Sequence, residues 1–149
     1  METGSDAMNS LKAIQALNTL LRALCSSLPA YLADAKPWAQ SENQQVRSTL
    51  DHLVADQQRY ARCVSEAITE YGGQADPGRF AMRFTAKNDL SLDFLLRELV
   101  DYQEQSVSTI QHCAAQLEDI SSLHSLAEEI LDNARGHIDI LKEMTKAEN

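Results

Sequence analysis

Few residues in this chain have the type and spacing to do chemistry. His137 falls on the apolar stripe of a helical segment near the C-terminus, and the centres of two other stripes are glutamines, Gln57 and Gln103. Tyr60, Tyr102 and Ser106 lie close to the same level. Such side chains in a core can satisfy one another as a hydrogen-bonded plug that fixes helix register. They can also hold a small ligand or a single divalent metal, with His137 and Asp56 as inner ligands. His52 and Asp56, at i and i+4, read as a solvated imidazole–carboxylate pair, and His112 and His124 as surface residues. The three cysteines, Cys25, Cys63 and Cys113, are odd in number and far apart, with no Cys-x-x-Cys spacing. That argues against a disulfide framework or a thiolate zinc site and suggests buried thiols. No cysteine or serine shares a buried helix face with a histidine at i±3 or i±4; His112 and Cys113 are adjacent and diverge by about 100°. Gly72-Gly73 reads as a helix stop, not a phosphate loop.

A chain of 149 residues is the size of one domain. With 13 Lys plus Arg against 22 Asp plus Glu, its net charge of −9 opposes nucleic-acid backbones and anionic membranes. Five glycines and three prolines are too few turn residues for a many-stranded protein. The most apolar stretch, Leu11 to Leu32, is broken by Gln15, Asn18, Arg22 and two serines, so it cannot span a bilayer. No secretory signal precedes it, and a cytoplasmic location is expected. Arg79, Arg83 and Lys87 form a locally basic stretch, which reads either as a solvated edge paired with helix acids or as an anion or partner site.

Four helical segments carry the 3.6-residue period, and no stretch of useful length alternates with period two, so the expected class is all-α. The first segment runs from Met8 to Leu32. The second begins near Ser41 at a capping-box pattern, carries Val46, Leu50, Leu53, Gln57, Tyr60, Val64, Ile68 and Tyr71, and stops at Gly72-Gly73. The third opens at Asn88 or Asp89 and fades at Asp119; the fourth opens at Ser121, Ser122 or Ser125. Residues 1–7 are expected to be a flexible N-terminus and 8–149 a single domain. Short joints make two antiparallel hairpins. The 16 residues from Gly72 to Lys87 reach roughly 50 Å when extended, enough to cross a 30-residue helix of about 45 Å. Phe80, Met82 and Phe84 alternate with polar or small residues there, the pattern of an extended strap with one apolar side.

From Met8 to Met144 this organisation, with Asp56-Gln57-Gln58-Arg59 and Asn133-Ala134-Arg135-Gly136-His137, resembles the ferritin-like superfamily, particularly its small bacterial members. The resemblance implies two antiparallel hairpins joined by a long crossover, and two irons held by a Glu from each of two helices and a Glu-x-x-His pair from each of the others. This sequence departs from that set. The first helix has no carboxylate between Asp6 and Asp34, Arg59 stands where a ligand His is needed, and Ala134 stands three residues before His137. The stripe of the third helix turns Asp101 outward and leaves Glu98 and Glu104 at or beyond its margin. Leu50-Asp51-His52-Leu53-Val54-Ala55-Asp56 also resembles a DinB-type up-down-up-down metal-binding bundle, which uses three histidines, but Asn133-x-x-x-His137 lacks one of them.

The expectation is a non-catalytic ferritin-like bundle without a functional di-iron site, acting as a binding or assembly protein, with no cofactor. Its polar layer is Gln57, Tyr60, Gln103, Ser106 and His137. The alternative is a metal-binding bundle with one divalent ion on His137 and Asp56. A homodimer through the first helix is expected too, because Leu11, Ile14, Leu17, Leu21, Leu24 and Leu28, continued by Ala13, Ala16, Leu20, Ala23 and Tyr31, cover about half its circumference, wider than the roughly 100° stripe one core contact needs.

Overall fold

The structure, a computed structural model, describes residues 4–35, 44–87 and 92–148. It contains α1 (Gly4–Cys25), α2 (Leu28–Ala35), α3 (Gln44–Glu70), a 3₁₀ turn (Met82–Lys87), α4 (Leu92–Gln116) and α5 (Ser121–Glu148). No strand occurs among the described residues. The Ser41 capping box and the opening at Asn88 or Asp89 lie outside them. α1 packs on α3 and α4, and α5 packs on the same two helices from the other side, so four long helices close around one core.

The first segment is not one helix. Pro29 has no N–H to give to the Cys25 carbonyl, and its ring would collide there, so the chain breaks at Ser26 and Ser27 and restarts as α2. Ser27 caps the new helix: its hydroxyl oxygen accepts the Ala30 N–H at 3.1 Å. The second segment stops as its sequence demands. Gly72 takes φ 82°, a left-handed conformation that favours glycine. The Gly72 and Gly73 amides then return to the Thr69 and Ile68 carbonyls at 3.0 and 2.9 Å.

From that stop the chain runs along α1 from Ile14 to its C-terminal end. Asn18 holds it at two points, donating to the Gln74 carbonyl at 3.1 Å and accepting the Asp76 amide at 2.7 Å. Arg22 pairs with Asp76 at 3.3 Å, and the Ser26 hydroxyl donates to the Pro77 carbonyl. Gly78, at φ 74°, passes so close that a Cβ would meet the Arg22 side chain at 3.0 Å. This full-length crossover excludes the up-down-up-down alternative. Its apolar side differs from the expected alternation, because residues from Met82 onward wind into the 3₁₀ turn. Phe80 and Phe84 both reach Tyr31, at 5.4 and 5.7 Å between ring centroids, while Met82 is 88% exposed.

The core falls into two apolar clusters. One holds α1, the C-terminal half of α3 and the facing halves of α4 and α5; the other holds α2, the N-terminal half of α3, Phe84 and the remaining halves of α4 and α5. The apolar arc of α1 is covered within the single chain: Ala16 is 2% exposed and Leu17 and Leu20 are 0%. The wide arc is accounted for by α3, α4 and the strap, which together surround α1, so it leaves no broad bare sector on that helix. Among the described side chains of α1, Leu11, at 58%, is the large apolar one left in water.

Candidate functional site

The buried polar residues lie between the two apolar clusters. On α3 the apolar run to Val54 gives way to Gln57 before Tyr60 and Val64 resume it. On α4 Gln103 and Ser106 separate Leu99 from Ile110, and on α5 His137 follows Ala134. Ser27, fully buried at the break between α1 and α2, joins them: its hydroxyl donates to Gln57 Oε1 at 3.0 Å while its oxygen caps α2. Sequence reasoning missed Ser27. Its signal was the Ser-x-Pro spacing of Ser27 and Pro29, an N-cap followed by a proline in the first turn.

Gln57, Gln103, Ser106 and His137 line one interior cavity with Asn133 and apolar neighbours, and it leaves ≈ 10 Å³ for water centres, about the room one water needs. Two buried atoms in this layer have no protein partner, Gln103 Oε1 and His137 Nδ1. Tyr60 is buried but stands apart from the cavity. Burial raises its phenol pKa, and Glu129 beside the hydroxyl raises it further. Arg59 lies 4.5 Å over its ring.

Asp56 ties α3 to α5. Its Oδ2 accepts from His137 Nε2 at 2.8 Å and from Asn133 Nδ2 at 2.9 Å, while Arg59 reaches Oδ1 at 3.4 Å. Partial burial pushes the Asp56 pKa up, but the hydrogen bonds from Asn133 and His137 and the nearby positive charges outweigh it and hold the carboxyl below its ordinary value. An ionised carboxylate can only accept, so Nε2–H is the donor in this bond, and Nδ1 on the other side of the ring has no protein partner. Asp56 turns to His137 and Asn133, not to His52, which is exposed and shares only a shallow surface pocket with His137. His112 is exposed, whereas His124 is half-buried and locks the α4–α5 turn, with Nδ1 2.9 Å from the Ala114 carbonyl. Of the cysteines only Cys113 is fully buried, its pKa raised to about 11 by burial; Cys25 is half-buried and Cys63 exposed.

These residues do not fit a two-iron centre. Between Asn9 and Cys25, α1 carries no carboxylate; Asp101 is exposed, and Glu104 pairs with Lys142 at 3.0 Å. The one carboxylate–histidine contact in the layer has a guanidinium on its other oxygen, a fixed cation where a metal would need negative charge. Among the described residues no three His, Cys, Asp or Glu side chains are grouped so as to hold a metal ion. No helix among them is long and apolar enough to cross a membrane.

No family model and no curated protein matches the sequence. Among solved structures the chain is similar to the bacterioferritin of Desulfovibrio desulfuricans, a protein with a di-iron site: the TM-score is 0.80 at 14% identity, covering 98% of this chain and 84% of that one. The chain thus has the ferritin-like four-helix bundle fold, with the full-length crossover.

Proposed function

We propose that this chain is a ferritin-like bundle without the two-iron chemistry, working as a binding or assembly protein. The observation that carries this reading is the Asp56 contact: the histidine best placed to bind metal donates its Nε2 proton to a carboxylate that Arg59 also holds. One observation favours a second reading, a single divalent ion. His137 Nδ1 and Gln103 Oε1, both buried and unpartnered, belong to residues lining one cavity. An ion there would have Asp56 behind the imidazole as its outer-shell partner. Protein mixed with ferrous iron in air and desalted is expected to stay colourless. Two firmly held irons per chain would end the proposal, whereas a melting temperature that falls with chelator, and no longer does so in His137→Leu, would establish the single-ion reading.

The partner we propose is a second copy of the chain. The end of α1, α2, α3 and the strap enclose a groove of ≈ 770 Å³ whose walls include Leu24, Ala33, Val54, Ala61 and Phe80, with Arg62 as the only charged residue among those described. On a chain of net charge −9, two such faces can meet without opposing carboxylates. Light scattering at micromolar concentration is expected to give twice 16.6 kDa, falling toward the single mass in Ala33→Glu. A mass near 16.6 kDa for the unaltered protein refutes the dimer.

A further inference from the structure

A separate cleft of ≈ 340 Å³ opens between α1, α4 and the 3₁₀ turn, on a different side from the groove. Among the described residues its walls include Arg22 and Arg83 and no carboxylate, on a chain with 22 acidic residues. We propose that this cleft binds a small oxyanion, a phosphate or carboxylate group, between the Arg22 and Arg83 guanidiniums. Guanidinium forks match the paired oxygens of such groups.

The donors are set for it. Arg83 lies 5.5 Å from the Phe84 ring centroid, which steadies its head, and among the described residues it forms no ion pair. Arg22 pairs with Asp76, but both side chains are well exposed, so water weakens that pair, and a guanidinium keeps further N–H groups to offer. Tyr102 forms part of the wall beside Arg83. Burial raises its pKa, and the Leu28 backbone bond and Arg83 oppose that rise. Gln105 adds an amide. Thr19 and Thr109 contribute less, since their hydroxyls already donate to the Gln15 and Gln105 carbonyls at 3.1 and 3.3 Å. Ser106 lines both this cleft and the interior cavity, so the cleft lies against the polar layer. The negative charge of the chain opposes an anion at long range, but screening confines that repulsion to about 8 Å at physiological salt.

The proposal rests on reading the chain as a binding protein; iron uptake tests that reading and anion titration tests this one, so either can fail alone. The full chain would be titrated with inorganic phosphate, with succinate and with chloride at matched ionic strength, following amide NMR shifts of residues 19–23 and 102–109. Saturable shifts with phosphate, succinate or both, and none with chloride, are expected; the anion that saturates assigns the ligand class. Arg83→Gln should weaken binding about tenfold, the loss of one charge-assisted contact. Ala23→Glu, which places a carboxylate in the cleft wall, should abolish it while leaving the helical spectrum intact. Chloride shifts equal to the others, or affinities unchanged in both variants, would overturn the proposal.

Discussion

Changing Leu20 to alanine is expected to lower stability by about 3 kcal/mol and the melting temperature by roughly 6–12 °C, equally at every protein concentration. Leu20 is 0% exposed within one chain and belongs to the cluster that joins α1 to α3, α4 and α5. Truncation removes buried methyl groups and leaves a cavity that long, laterally packed helices close only in part. The concentration series gives the experiment its force. On a helical wheel Leu20 falls in the sector that a partner helix could cover, and a loss that came from such a partner would shrink on dilution as both proteins dissociate. Burial by the chain itself makes it constant. A loss below about 1 kcal/mol, or one that fades on dilution, would show that this side of α1 is covered from outside.

Asp56→Ala is expected to cost about 1–3 kcal/mol near neutral pH, because it leaves the buried His137 Nε2–H without its acceptor and frees Asn133 and Arg59 as well. The penalty should shrink in acid. The folded protein holds the Asp56 pKa below its ordinary value of 3.8, so the carboxylate's contribution is complete above that value and is lost as pH falls through the lower folded one. The melting curves of the two proteins should therefore converge at low pH. A gap that stays constant into strong acid would mean that Asp56 acts through packing alone.

Much of the architecture is legible in the order of residues because helices advertise themselves locally. A stripe such as Val46, Leu50, Leu53, Gln57 states both the period and the face, and a glutamine at the centre of an apolar stripe announces a buried polar level wherever the helix docks. The Gly72-Gly73 stop is legible for the same reason, since the left-handed turn it needs is a property of a few neighbouring residues. The break at Pro29 is equally local; carrying the apolar pattern through Leu32 hid a proline whose missing N–H decides the matter.

Other features are set only when the helices meet. Helical phase places Asp56 on the flank of α3, but the imidazole that takes this flank comes from His137, 81 positions away, and Asn133 one turn earlier arrives with it. Likewise the wide apolar arc of α1 is a fact of sequence, while its covering by α3, α4 and a strap pinned through Asn18 and Arg22 depends on where the crossover lies. The presence of Arg22 and Arg83 on the walls of one cleft has the same origin, because the residues belong to segments that touch only after the crossover is laid down. Periodicity fixes the direction a side chain takes from its own helix axis. What lies in that direction depends on the rotation and offset of neighbouring helices, which are set by the packing of the whole core.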